Sequence, residues 1–323
     1  MQPTVGRPPL DFERSTLPWL DRIRLEIDDY VRQQPLPPAE QFKLRGQLFQ
    51  WMLYGYATLE QAVEHELIDA LLADVEELLA HNDRYSVKVL SNEHNYVPIN
   101  QVQTDDLWGK HARLVCLHNA SIAAKKISLH RNIVQFLQHL FREEVALMAT
   151  LTFFEGSEQL IHQDHSYVVA AQPSHLAATW VALEDISPDA GPLAYYPGSH
   201  ATPKFDWGDG LFRTPNSTGT DQAFGDHIHA TAKEYGLTLA TFAPRKGDVF
   251  VWHGALAHGG SPVRDRSLTR KSHVTHYSTS RTLTYDFRDP GVKVQALRVN
   301  GGVVYRHPTD PAQEDVLRAG AHF

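Results

Sequence analysis

The chain has 323 residues, 42% of them hydrophobic, enough to bury a sizeable core in one large domain or two modest ones. Its 30 Lys and Arg against 38 Asp and Glu give a net charge of -8 and a pI near 6.2, without the basic excess that a phosphate backbone requires, which argues against nucleic acid as a partner. Cys116 is the only cysteine, so an internal disulfide framework and a thiolate metal cluster are both excluded, and any metal must be held by His and carboxylate.

The opening stretch, MQPTVGRPPLDFERSTLPWL, has no charged start followed by an apolar segment, and nowhere do eighteen apolar residues run together. The expectation is a cytoplasmic protein with no membrane span. The first third reads as helix. In TLEQAVEHELIDALLADVEELLAHND, Val63, Leu67, Leu71, Val75 and Leu78 recur at three- and four-residue steps, with Thr58 placed as the cap. The prolines of QQPLPPAE separate an earlier helix from the next, and RNIVQFLQHLF, residues 131–141, is a further amphipathic helix and the last one expected.

From about residue 146 the texture changes to short β-branched and aromatic runs, LMATLTFF, LAATWVAL, LAYYP, LTLATFA, DVFVWH and SHVTHYST, each bounded by Gly, Pro, Asp or Ser. This is the pattern of a sandwich or barrel. The polar connection at about 201–235 is too long for a hairpin turn, and long connections of that kind often cover a binding site.

Within IHQDHSYV, residues 161–168, His162 and Asp164 are spaced to supply two ligands of a 2-His-1-carboxylate metal face, which leaves three positions open. By itself the spacing is weak, because 19 histidines make coincidental pairs easy. The chain carries its own control, HND at His81 to Asp83, read as a solvated helix end. The His162 copy differs in following a strand-like run and a turn, so its two side chains can emerge on the same side of an extended segment. In GDVFVWHGALAHGGSP a strand ends at His253 and a second short run delivers His258 into a Gly-rich turn, making His258 the third ligand.

Downstream, Arg264, Arg266, Arg270 and Lys271 cluster against a single acid, Asp265, and such a cluster suits an anion. Strand alternation from Thr269 puts Arg270, Ser272, Val274, His276 and Ser278 on one face, so Arg270 points inward with a two-pronged grip for a carboxylate, while Arg264 and Arg266 read as solvated loop.

At this point the sequence resembles the phytanoyl-CoA dioxygenase family of iron(II)- and 2-oxoglutarate-dependent oxygenases. The resemblance covers most of the chain and rests on GYATLEQAVEHELIDALLADVEELL, similar to the family's opening strand and helix, and on HQDHSYV, TWVALEDISPDAGPLAYYPGSH and GDVFVWHGALAHGGSP in that order. It implies a mainly β protein with flanking helices, a double-stranded β-helix (a jelly-roll, cupin-like barrel) behind an N-terminal helical region. A single oxygenase domain over 1–323 is expected, with 15–82 mainly helical, the jelly-roll core at 85–288 interrupted by the insertion at about 201–235, and a C-terminal extension at 289–323.

The resemblance further implies Fe(II) on His162, Asp164 and His258, with 2-oxoglutarate as co-substrate on Arg270, Ser261 and Trp180. Family members usually carry HGS with the arginine eleven residues after the histidine. Here HGGS puts Ser261 at three and Arg270 at twelve, and one extra glycine explains both shifts. His253 is expected in the core or supporting the ligands, and His165 and Tyr167 beside the substrate pocket. O2 takes the remaining position, and the usual outcome is hydroxylation of an unactivated C–H bond of a small or medium-sized metabolite, with release of succinate and CO2. Related halogenases have Gly or Ala at the carboxylate position, so Asp164 argues for hydroxylation or another oxidation. A cupin-like module that keeps a metal or senses a small anion without turnover is the alternative, ahead of a metal-dependent isomerase or an oxygenase using no 2-oxo acid. Arg270 separates these, because a structural metal has no use for a carboxylate clamp. The sequence sets no oligomeric state.

Overall fold

Two prolines, Pro37 and Pro38, set the start of the longest N-terminal helix, Pro38–Tyr54, because their fixed backbone angle matches the first helical turn and the missing N–H is not needed there. Gly55 ends it in the left-handed region (φ 77°), and the chain passes directly into strand β1, Tyr56–Leu59. The computed structural model describes residues 10–22, 26–90, 96–102, 112–168, 170–283, 295–306 and 314–319.

Thr58 is therefore not a helix cap. It lies within β1, paired with Phe250, and the next helix runs from His65 to Ala80 after Glu64. The sheet edge captures Tyr56–Leu59 because its alternate residues, Ala57 and Leu59, are buried there. Helix His65–Ala80 buries Ile68, Leu71, Val75 and Leu78, and helix Arg131–Phe141 has the bounds expected from the sequence, with His130 accepting from the Asn132 N–H at its start.

The strands are β2 Lys88–Leu90, β3 Tyr96–Pro98, β4 Arg113–Val115, β5 Val145–Phe153, β6 Ala177–Ala182, β7 Leu193–Tyr195, β8 Ala240–Phe242, β9 Val249–His253, β10 His258–Gly260, β11 Ser272–Thr279, β12 Gln295–Val299 and β13 Gly302–Arg306. The larger sheet has the order β1-β9-β6-β11-β5-β4-β2-β3, and the smaller one the order β10-β7-β8. Strand β13 joins the larger sheet parallel to β5, so the C-terminal stretch contributes to the main sheet. The boundary expected between 288 and 289 lies outside the described residues.

Alternation sorts the larger sheet into two faces. Ala177, Val181, Val249, Val251 and Tyr277 pack on the helices. Ala178, Trp180, Phe250, Trp252 and Val274 point the other way and meet Leu193 and Tyr195 of the smaller sheet. The functional candidates stand at one end of this apolar layer. The expected alternation of β11 holds from Ser272 to His276. A register shift between His276 and Tyr277 then interrupts the pairing with β5, and Ser278 donates to the carbonyl of His175.

The connection at 201–235 contains a helix, Asp221–Glu234, where no helix was expected beyond 141. Its signal is present in the sequence: Thr220 caps it, and Phe224, Ile228, Thr231 and Ala232 form a buried stripe against Trp207 and Ala257.

Candidate metal centre

His162 and His258 come from segments 96 residues apart and form an isolated antiparallel bridge, in which each backbone N–H donates to the other's carbonyl at 2.8 and 2.9 Å. The expected Gly-rich turn after His258 is instead strand β10, paired with β7. Its glycines are needed for close approach. A Cβ at Gly259 would lie 2.6 Å from the Gln159 carbonyl oxygen, and one at Gly260 2.6 Å from the Glu158 nitrogen. The second glycine of HGG thus lets β10 lie flat on the 157–161 segment that carries His162.

Both rings are oriented the same way. The Nδ1 of His162 lies 2.7 Å from the Leu160 carbonyl and that of His258 2.9 Å from the Leu256 carbonyl. A carbonyl only accepts, so each Nδ1 carries a proton and each Nε2 is the nitrogen left to ligate. The two Nε2 atoms lie 3.6 Å from Asp164 Oδ1, and the three ligand atoms fall within 4.8 Å of one another. Burial pushes the His258 ring down to about 4, so it is neutral at pH 7, the form that ligates. Burial alone would raise the Asp164 carboxyl, but His258, His276 and His162 around it hold it well below the ordinary carboxylate value.

The triad lines one end of a cavity of about 60 Å³, whose other walls are Leu151, Phe153, Ser157, Gln159, Trp180, Leu193, Trp252, Gly259, Val274, His276 and Arg270. Arg270 is 2% exposed. Its guanidinium sits between the rings of Phe153 and Trp180, 5.6 Å from each, and makes one long hydrogen bond, 3.3 Å, to the Glu155 carbonyl. The Arg270 Nε and the Trp180 Nε1 both lack partners. Burial lowers the guanidinium to about 10, so it stays a cation at pH 7 with no carboxylate beside it among the described residues. A buried cation without an anion is costly unless a ligand supplies one.

Ser261 does not line this cavity. Its amide donates to the Pro192 carbonyl, and Ser157 is the serine in the wall. His165 also turns away: it is fully buried against the Phe12 ring (5.1 Å), its two ring nitrogens lack partners, and burial pushes it down to about 3. Tyr167 stands beside His162, with ring centres 6.1 Å apart, and its hydroxyl donates to Asp221 at the head of the helix in the 201–235 connection. His253 faces the helical side, with Nε2 3.4 Å from Asp21 Oδ2. Arg264 and Arg266 are exposed and paired with Asp189 and Glu158. Trp252 and His276 both contact Asp164; neither belongs to a ligand motif, although alternation puts His276 on the Arg270 face.

The sequence profile of the phytanoyl-CoA dioxygenase (PhyH) family matches residues 51–272, a span that takes in the triad and Arg270. The chain belongs to this family. A phytanoyl-CoA dioxygenase domain-containing protein 1 homolog from Caenorhabditis briggsae is 24% identical over 166 residues, 50% of this chain and 56% of its own length, so the chain spans little more than half of that relative. The fold is similar to that of the epimerase SnoN, solved in complex with Fe3+, alpha ketoglutarate and nogalamycin RO (TM-score 0.58, 16% identity, 84% of this chain and 100% of that one). It is similar to the carbocyclase SnoK from nogalamycin biosynthesis (TM-score 0.53, 16% identity, 80% and 92%). It is also similar to EctD from S. alaskensis, solved with 2-oxoglutarate and 5-hydroxyectoine (TM-score 0.53, 16% identity, 77% and 78%). Among the described residues no helix is long and apolar enough to cross a membrane.

Proposed function

We infer that this family member is an iron(II)- and 2-oxoglutarate-dependent dioxygenase that hydroxylates an unactivated C–H bond of a small or medium-sized metabolite. The observation that carries the reading is the single cavity joining the His162, Asp164 and His258 ligand atoms to the unpaired cation of Arg270. The two facing sheets fit the double-stranded β-helix reading of the fold, and SnoN and EctD, whose structures are similar to this one, were solved with 2-oxoglutarate.

In this reading His162 Nε2, Asp164 Oδ1 and His258 Nε2 hold the iron, and the donor set suits it, with two imidazole nitrogens and one carboxylate oxygen. With 2-oxoglutarate and O2 the bound iron supplies oxidative decarboxylation to succinate and CO2, and the oxidising power for the C–H bond. Arg270 takes the far carboxylate of 2-oxoglutarate in a two-pronged grip, and the Trp180 indole N–H adds a donor to the same chamber. Phe153, Leu151 and Val274 exclude water around the bound co-substrate. Ser261 drops out of the co-substrate site and Ser157 takes its place.

Tyr167 and the helix it reaches through Asp221 form the wall the substrate meets, which gives the 201–235 connection a part in substrate choice. The described residues offer a coenzyme A ester little support. Its phosphates need a free basic patch, and Arg264 and Arg266 of the basic stretch are each paired with an acid. Asp164 fills the position that is Gly or Ala in related halogenases, which favours hydroxylation or another oxidation over halogenation. The test is anaerobic titration of the iron(II)-loaded protein with 2-oxoglutarate, which should produce the visible metal-to-ligand charge-transfer band. A metabolite screen for O2- and 2-oxoglutarate-dependent gain of one oxygen in mass then finds the substrate. Iron-loaded protein without the band would hand first place to a binding module that does not turn over.

A further inference from the structure

Asp164 is gripped on one oxygen and open on the other. Oδ1 faces the two histidine Nε2 atoms at 3.6 Å. Oδ2 accepts a hydrogen bond from the Trp252 indole Nε1 at 2.9 Å and lies 3.3 Å from His276 Nε2. The holding groups are themselves fixed. Trp252 is 2% exposed on the interior face of β9, where it pairs with Ala178, and His276 is 5% exposed on β11, also paired with Ala178. The carboxylate therefore cannot rotate about its Cβ–Cγ bond without leaving the indole N–H, a buried donor, with nothing to bond.

We propose that Trp252 and His276 are positioning residues that keep Asp164 a one-oxygen ligand, and that this preserves the open coordination position the reaction needs. The proposal rests on the functional reading above. Six octahedral positions divide into three for the protein, two for a chelating 2-oxo acid and one left over. A carboxylate free to chelate through both oxygens would take that last position. Trp252 and His276 prevent this by occupying Oδ2, which leaves Oδ1 as the oriented oxygen facing the two histidines, the kind of support that groups behind metal ligands commonly give.

The experiment uses Trp252→Phe, which keeps the ring and removes the N–H, together with His276→Ala and His276→Asn, the last restoring an N–H donor. Correct folding is checked by near-ultraviolet circular dichroism. Two probes are read: the Co(II) dissociation constant by chelator competition, and the occupancy of nitric oxide, an oxygen surrogate, on the iron(II)·2-oxoglutarate complex by electron paramagnetic resonance. Trp252→Phe and His276→Ala should weaken Co(II) binding by about 10- to 100-fold, and the iron that does bind should take up less nitric oxide. His276→Asn should recover both readouts in part. Unchanged affinity and unchanged nitric oxide occupancy in Trp252→Phe and His276→Ala would overturn the proposal, and so would a His276→Asn protein as impaired as His276→Ala, since shape alone would then be what matters. Wild-type protein that takes up no Co(II) would overturn the functional reading instead, so the two failures are distinguishable.

Discussion

His162 and His258 exchange both of their backbone hydrogen bonds, so the two candidate ligands form one cross-strand pair whose spacing is set by main chain. The pair depends on Gly259, where a Cβ would come within 2.6 Å of the Gln159 oxygen and 3.1 Å of the Ile161 nitrogen. Gly259→Ala should therefore impair metal retention although no ligand is altered, with both strands pushed apart by backbone contacts that cannot yield. His162→Ala and His258→Ala should abolish it. Metal analysis of the purified variants checks this, and full occupancy in a His162→Ala/His258→Ala double variant would send the search for the site elsewhere.

Location, and not residue type, is tested by the two His-X-Asp copies. Asp164→Ala should eliminate 2-oxoglutarate turnover, whereas Asp83→Ala, in the exposed turn Asn82–Arg84 after helix His65–Ala80, should leave it near wild type. Steady-state succinate production reads both. Inactivation by the Asp83 change alone would move the active site to the helical region.

Arg270→Ala should raise the 2-oxoglutarate requirement by roughly thirtyfold to several thousandfold, corresponding to about 2 to 5 kcal/mol for truncating one partner of a buried charge pair, while iron still binds. Arg264→Ala and Arg266→Ala should change it little, because exposed ion pairs are worth about 1 kcal/mol or less. Titration of the charge-transfer band measures all three. Loss of the band in Arg264→Ala or Arg266→Ala, with Arg270→Ala unaffected, would refute the assignment of the clamp to Arg270.

A pH dependence follows from the far face of the main sheet. His273 bonds Thr152 Oγ1 and Ser128 Oγ, both at 2.9 Å, and burial pushes it down to about 3. An unfolded chain takes up that proton near the ordinary value of about 6.5. Its folded value is the lower one, so this stability is fully present above about pH 6.5 and is lost as pH falls towards 3, at about 1.4 kcal/mol per pH unit. His273→Gln, which keeps a polar side chain but does not titrate, should flatten the fall in unfolding free energy, read from urea titrations between pH 6.5 and 5, by up to that amount per unit. An unchanged slope would mean that His273 is protonated in the folded protein.

The chain's own residues determined much of this. The pairing of a short-spaced His162 and Asp164 after a strand, a histidine in HGG after a second strand, and an arginine twelve residues on with the parity to face inward are local patterns, and local patterns are written in order along the sequence. Helix Arg131–Phe141 and strand β11 were legible for the same reason, since 3.6- and 2-residue periods need only neighbours. What the tertiary structure decided depends on groups far apart in the chain. Thr58 has the chemistry of a cap, but β9, about 190 residues later, offers it a sheet edge. His165 is next to a ligand in sequence, yet it is buried against Phe12 because a 3-10 turn, Asp164–Ser166, directs consecutive side chains to different sides. The resemblance implies Ser261 in the co-substrate site, but close backbone packing at Gly259 and Gly260 governs where the chain runs, and it carries Ser261 past the cavity that Ser157 lines. The partners of Asp164 Oδ2 come from residues 252 and 276, and no period or spacing links either to 164; only the stacking of β9, β6 and β11 in one sheet brings an indole N–H and an imidazole to the same oxygen.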